Sequence, residues 1–452
     1  MLFYDLVEVI NWTEAPVIER EIDTKLNDFN ELGIPGYVSR ETEIRVAPSM
    51  VSTLIGARRS GKSYRTLQMA AEMIRDKQIE SLRNVCAIDF DNPVLATMAA
   101  TDLSLIQKTF LKRNPAFSLK TPCLFIFDEI HKIAGWENYV IDLSRNPHWQ
   151  VVVTGSSSKL LHTDVATELR GKSITTSIYP LTFKEYLRFK GERRDLSSTT
   201  GGAAALRCFD EYLRWGAFPA ICSTAERFRD ALLRQYFDTM ILRDVVQRSR
   251  VANPGPCIAA LTHLVSNMAK PFTLSSVLSF VKESGFNVGR ESVADFVRWA
   301  EDAWLLFSVP VFSGSAKHQQ RNPKKAYCID WGLAHSNSTV WDGGYSRALE
   351  NAVFVHLRRR FDRITYYLTR AERREVDFIA CDSHGTPRLA VQVCQDLRDP
   401  DTYKREIEPL AATARFFGLA EGLIVTLNEE RLISHEGVSI RVAPAWRWME
   451  ES

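Results

Sequence analysis

Gly56-Ala-Arg-Arg-Ser-Gly-Lys-Ser63 is the stretch on which the fold turns. Its spacing is G-x-x-x-x-G-K-[ST]; an apolar run at 51–55 precedes it, and a segment rich in Leu, Met and Ala follows. Glycines let a backbone curl tightly. The N–H groups that open the following helix face an anion, with the helix dipole behind them. A strand, such a turn and a helix, in that order, cradle phosphate groups. Lys62 then neutralises the β and γ phosphates of a triphosphate, and the Ser63 hydroxyl ligands Mg²⁺. The contacts to ATP are assigned to Gly56, Ala57, Arg58, Arg59, Ser60, Gly61, Lys62, Ser63 and Tyr64. A chance match in a Gly/Ser turn is the competing reading.

Outward from this turn, short apolar runs at 51–55, 85–90, 123–127, 151–154 and 174–179 alternate with amphipathic segments. Continuous apolar runs of about five residues read as buried parallel strands. The fold class is therefore α/β, with a parallel sheet. The run Cys123-Leu-Phe-Ile-Phe-Asp-Glu129 ends in two acids. The C-terminal ends of such strands face the ligand crevice. Asp128 is assigned to Mg²⁺, directly or through water, and Glu129 to polarising the attacking water. Acids also suit a helix N-cap, which is the alternative. Val151-Val-Val-Thr-Gly-Ser-Ser157 ends in small polar residues. Thr154 and Ser156 are the candidates to sense the γ-phosphate, against an ordinary strand-to-helix turn with a Ser cap.

The chain has 452 residues, enough for about three domains. Hydrophobic residues make up 45% and charged residues 25%, an ordinary globular balance. Lys plus Arg number 57 against 55 Asp plus Glu, so a protein that coats nucleic acid by bulk charge is excluded; contact must come from local patches. Eight cysteines include no C-x-x-C pair, so neither a zinc ribbon nor a dithiol site is indicated. Thiols at 86, 123 and 328 lie in apolar runs, which suits buried free cysteine in a reducing cytoplasm. The opening Met1-Leu-Phe-Tyr-Asp-Leu-Val-Glu lacks a basic segment, so a signal peptide is not expected. No run of about 18 apolar residues predicts a membrane span.

Five further stretches stand in order: Asp-Glu-Ile-His-Lys-x-x-x-Trp-Glu (128–137), Thr-Gly-Ser-Ser-Ser-Lys-Leu-Leu (154–161), Leu-Arg-Gly-Lys (169–172), Pro-Leu-Thr-Phe-Lys-Glu-Tyr (180–186) and Gly-Ala-Phe-Pro (216–219). With the phosphate loop, they resemble prokaryotic AAA+ ATPases of the ORC/STAND-like branch. Members of that group carry a winged helix and a C-terminal PD-(D/E)XK-like domain. The resemblance implies an N-terminal extension (1–45), an AAA+ core (46–202), a helical lid (203–252), a winged helix (253–340) and a nuclease-like domain (341–452). It implies assembly into a homo-oligomeric ring, a hexamer among the candidates. A trans-acting arginine is implied where Lys172 stands here; Lys cannot reproduce the bidentate fork, and Arg170 is the nearby substitute. A proline near the adenine is implied at Pro219, against a plain turn between helices. Arg243, Asp244 and Arg248 reach nucleotide or neighbour, or else form a solvated helix face.

Helical patterns near 257–268, 273–284 and 290–303, then strand-like runs at 304–312 and 325–330, read as a winged helix-turn-helix. Lys317-His-Gln-Gln-Arg321 and Lys324-Lys325 are expected as a basic hairpin tip that touches DNA phosphates. The second helix carries Glu291, Asp295, Glu301 and Asp302, a poor composition for reading bases. In the last module the helix, acid, strand and h-h-x-h-x order resembles the PD-(D/E)XK nuclease core, with Glu350, Asp377, Gln392 and Cys394 at the resembling positions. Carboxylates there bind Mg²⁺ and a lysine positions water. Cys394 cannot supply that cation, so the site reads as degenerate. The expected function is ATP-dependent binding or remodelling of DNA, branched DNA included. An assembly or signalling switch and an ATP-regulated nuclease are the rivals.

Overall fold

The computed structural model describes residues 17–155, 169, 171–192, 194–338, 345–369 and 374–451. The chain forms two compact units. One comprises the chain up to Ile55 together with Lys62–Ser177; the other comprises Gly56–Gly61 together with the chain from Ile178.

The first unit is built on strands β1 (Val51–Ile55), β2 (Val85–Asp89), β3 (Cys123–Asp128), β4 (Trp149–Gly155) and β5 (Ser173–Ser177). All are parallel, in the order β2-β3-β4-β1-β5. All five expected runs are strands. β1 lies inside the sheet, with Val51, Leu54 and Ile55 fully buried. A strand covered on both faces is mostly apolar, and the two polar residues of β1, Ser52 and Thr53, are buried with the rest. Phe110, Phe125, Phe127, Trp149 and the half-buried Tyr139 pack ring against ring on and against the sheet, each buried Phe contributing about 1.5–3 kcal/mol. Helix α1 (Val17–Leu32) buries Ile22 and Leu26, and Arg113 anchors it through Asp23 at 2.7 Å. Helix α2 (Lys62–Arg75) begins on the motif lysine. Its Arg65 donates to the Thr42 carbonyl at 2.6 Å, and its Gln68 exchanges hydrogen bonds with the backbone of Arg40. The extension thus lies along α2.

The second unit starts with helices Phe183–Phe189, Thr199–Trp215, Pro219–Ser223 and Glu226–Thr239, the last running into a π-helix, Met240–Gln247. Pro-Leu-Thr-Phe-Lys-Glu-Tyr proves to be a capping box. Thr182 Oγ1 accepts the Glu185 N–H at 3.0 Å, and the Glu185 carboxylate accepts the Thr182 N–H at 2.9 Å. Helices Pro254–Ser266, Leu274–Glu283 and Arg290–Asp302 follow, close to the expected positions. They accompany an antiparallel sheet of β6 (Pro271–Phe272), β7 (Leu306–Val309) and β8 (Lys324–Cys328), in the order β6-β8-β7. The expected basic hairpin tip is corrected. Residues 317–321 lie in a helix, Ala316–Arg321, and Lys325 is buried on the central strand. The C-terminal sheet joins β9 (Arg363–Leu368), β10 (Glu375–Cys381), β11 (Pro387–Val393), β12 (Glu421–Thr426), β13 (Arg431–His435) and β14 (Val438–Pro444) in the order β13-β14-β12-β11-β10-β9. Helix Pro400–Phe417 covers it through Ile407, Leu410, Ala411 and Ala414. No helix among the described residues is long and apolar enough to cross a membrane, and all eight cysteines are free.

The Gly216-Ala-Phe-Pro219 turn is held by Asp330. Its carboxylate accepts the Ala217 N–H at 2.7 Å and the Gly332 N–H at 2.9 Å. Burial raises the Asp330 pKa from 3.8 to about 7, against these N–H bonds. A carboxyl that is harder to ionise folded than unfolded stabilises most below about pH 4 and loses that contribution as the pH rises to about 7. The unfolding free energy of wild type minus that of Asp330→Asn is expected to fall through this window, by at most about 1.4 kcal/mol per pH unit. Urea unfolding at several pH values reads it; a difference that rises with pH refutes the assignment.

Candidate nucleotide-binding site

The sheet order explains how residues distant in sequence meet. β4 lies between β1 and β3, so Leu54 is paired with Thr154 and Phe127 with Val153. Thr154 therefore stands beside the acids at the end of β3. Its hydroxyl donates to Asp128 Oδ1 and accepts the Glu129 N–H at 3.1 Å. A buried threonine thus fixes both acids.

Glu129 adopts a left-handed backbone, φ 54° and ψ 33°. Non-glycine residues rarely hold this conformation, and it gathers at functional sites. The Glu129 carboxylate is 4.0 Å from Lys62 Nζ and 3.3 Å from His131 Nδ1. Lys62 is 6% exposed and Glu129 13%. Water is largely excluded, which strengthens their attraction. Asp89, paired with Asp128 across the β2–β3 ladder, brings a third carboxylate to this sheet edge. Burial raises its pKa.

In the other unit, loop residues Gly56–Gly61 carry three positive φ values: Gly56 at 150°, Arg59 at 68° and Gly61 at 97°. A Cβ on Gly56 would lie 2.1 Å from the Ile178 carbonyl oxygen, so only glycine fits. Arg58 forks onto Asp244, Nε to Oδ2 at 3.1 Å and Nη2 to Oδ1 at 3.0 Å. Arg59 lies over the Tyr236 ring at 3.8 Å. The solvated-face reading of Asp244 is corrected: this carboxylate is 5% exposed and holds a loop arginine. It sits in the π-helix, a rare form that often marks function. The sequence offered Asp244 as reaching nucleotide or neighbour, but not as a partner of Arg58, and nothing in it marked Tyr236.

Ser63 and Tyr64 are exposed at the start of α2. Ser156 and Arg170 lie outside the described residues. Pro219 opens the helix Pro219–Ser223, next to the turn that Asp330 holds.

Of the nuclease-like set, Glu350 and Asp377 converge, but on a cation that the sequence did not place there. Lys325 Nζ lies 2.9 Å from Glu350, 3.1 Å from Asp377 and 2.7 Å from Glu375. Burial raises Glu350 to about 7, the nearby Asp377 charge adding to it. Burial opposes the Lys325 charge, yet Tyr327 and the acids keep its pKa well above the usual value. Gln392 Oε1 accepts the Asp377 N–H at 3.1 Å, and its amide nitrogen donates to Glu406. Cys394 belongs to the apolar cluster with Ile407 and Leu410, and burial pushes its thiol up.

Residues 49–187 match the family model described as an AAA domain, and residues 206–341 match one described as a domain of unknown function. An uncharacterized protein of Methanocaldococcus jannaschii is 29% identical over 423 residues, 91% of this chain and 90% of its own length. An uncharacterized protein of Haemophilus influenzae is 24% identical over 376 residues, 82% of this chain and 90% of its own. Among solved structures, the Aeropyrum pernix ORC1 protein in complex with DNA matches with 12% identity over 72% of this chain and 92% of that one, at a TM-score of 0.26. Cdc6p from Pyrobaculum aerophilum matches with 11% identity over 70% and 92%, at 0.25; TM-scores this low carry no argument. The β2-β3-β4-β1-β5 sheet, the glycine-bounded loop and the Asp128–Glu129 strand end lie within residues 49–187, the segment that is similar to an AAA domain.

Proposed function

We propose that the chain binds ATP with Mg²⁺ and hydrolyses it, and that hydrolysis drives work on DNA. The convergence of Lys62, at the start of α2, with Asp128, Glu129 and Thr154 at the end of the parallel sheet carries the first half. The donors fit the group. Asp128 and Ser63 offer oxygen and would hold Mg²⁺, which needs few side chains where water and phosphate supply the other oxygens. The ion supplies charge neutralisation on the triphosphate. Lys62 binds the β and γ phosphates. Glu129 orients a water and takes its proton as the water oxygen bonds to the γ-phosphorus. The bond to the bridging oxygen then breaks, leaving ADP and phosphate. Thr154 keeps Asp128 and Glu129 in place through the step.

Lys62→Ala is expected to weaken ATP binding by about 10–100-fold, the worth of a charge-assisted contact. Equilibrium binding of a fluorescent ATP analogue reads it; unchanged affinity counts against the whole reading.

For DNA, the support is the order of three helices and the sheet β6-β8-β7, which suits a winged helix, and the exposed Lys317, His318 and Arg321 on the helix Ala316–Arg321. Ring assembly and a cytoplasmic setting belong to the same proposal; the free thiols accord with the latter. An assembly switch is the alternative that the Arg58–Asp244 tie favours, since it links the phosphate loop to a helix of the same unit. ATPase rates with single-stranded, duplex and four-way-junction DNA, alongside mass with and without nucleotide, separate the two. DNA stimulation supports the first. Nucleotide-dependent assembly without it supports the second.

A further inference from the structure

We propose that the carboxylate site of the C-terminal sheet is a cation site filled from within: the Lys325 ammonium stands where a nuclease-like domain would hold a divalent metal. An ammonium has three N–H donors. Lys325 offers them to Glu350, Glu375 and Asp377, all within 3.1 Å. The lysine side chain is 3% exposed, so these oxygens substitute for its water shell. Further bonds engage two of these acids and their surroundings. Asp377 Oδ2 accepts the Val393 N–H at 2.9 Å, the Tyr327 hydroxyl donates to Glu350 at 2.6 Å, and Gln392 bridges Asp377 and Glu406. Among the described residues, no group of three or more His, Cys, Asp or Glu is arranged to hold a metal ion.

The lysine is not a mobile surface arm. It sits on β8, the central strand of its sheet, paired with Val309 on one side and Pro271 on the other. Register therefore aims its side chain at the acids, which lie on the helix Ser346–Arg358 and on β10. Two consequences follow. The site takes no divalent cation and is silent as a nuclease. Its acids serve to fasten β8 to the C-terminal sheet. This inference is independent of the ATPase reading.

The test uses the full chain, free of nucleotide and stripped with EDTA, with Mn²⁺ as probe. For wild type, Asp377→Asn should change neither the number nor the affinity of bound Mn²⁺ in an electron paramagnetic resonance titration. Lys325→Ala, which leaves the acids unpaired, should melt lower by roughly 10 °C. It should gain an Mn²⁺ site and recover part of that loss in millimolar Mn²⁺. Adding Asp377→Asn to it should abolish the gain and the recovery. Asp377-dependent Mn²⁺ binding in wild type overturns the proposal, as does a folded Lys325→Ala that gains no site. Should Lys325→Ala not fold, the comparison of wild type with Asp377→Asn decides alone.

Discussion

Glu129→Gln is expected to bind ATP as wild type does and to turn it over about 10²–10⁴-fold more slowly, the usual worth of a positioned general base. The amide keeps the shape of the carboxylate but cannot take a proton from water. The backbone carries the specificity of this prediction. A left-handed residue costs about 1–3 kcal/mol and persists only where its surroundings impose it. Here the Glu129 N–H is held by Thr154 Oγ1, and that hydroxyl also binds Asp128. Those bonds are made by the backbone and by neighbours, so they survive the substitution and the fold should not change. Lys62, 4.0 Å from the carboxylate, loses a partner and remains available to phosphate. Single-turnover hydrolysis beside equilibrium binding separates the two effects. Turnover equal to wild type removes Glu129 from its role.

Gly216→Ala should unfold the second unit or nearly so, with a loss of about 3–5 kcal/mol or more. Gly216 has φ 81° and ψ −165°, a region essentially confined to glycine. A Cβ there would lie 1.8 Å from Asp330 Oδ1, far inside contact distance. Relief would require Asp330 to withdraw, leaving the buried N–H groups of Ala217 and Gly332 unpaired at about 1–3 kcal/mol each. Gly332 cannot yield, because its own Cβ position is 2.4 Å from the Trp215 carbonyl oxygen. Chemical denaturation monitored by tryptophan fluorescence suits the test, since Trp215 and Trp331 flank the turn. A variant within 1 kcal/mol of wild type, on the order of an ordinary surface change, would refute this account.

The same turn shows how a motif can have a mechanical reason that the sequence does not display. Gly216-Ala-Phe-Pro219 stood out in the sequence, and the resemblance assigned its proline to adenine. The structure supplies a mechanical reason for the motif: the first glycine makes room for Asp330, and Ala217 presents its N–H to it. Asp330 is more than a hundred residues away, and no local pattern announces it.

What the sequence determined by itself is local or periodic. Five largely apolar runs specify five strands, of which the inner three, β1, β3 and β4, are almost wholly buried, because a mostly apolar segment can satisfy both its faces only inside a covered sheet. The glycine spacing specifies the loop, because positive φ values need residues without a Cβ. The acids after 127 fall at a strand end, because charge is not tolerated in the middle of a buried strand. Tertiary structure alone decided the pairings. Thr154 meets Asp128 because β4 lies beside β3. Asp244 leaves solvent because a helix brings it to Arg58. Lys325, a basic tip by its composition, becomes a buried counter-ion because β8 is a central strand facing three acids. A charge looks the same in sequence whether water or a carboxylate surrounds it; only the packing, which sets the cost of desolvation and the partner that offsets it, tells them apart.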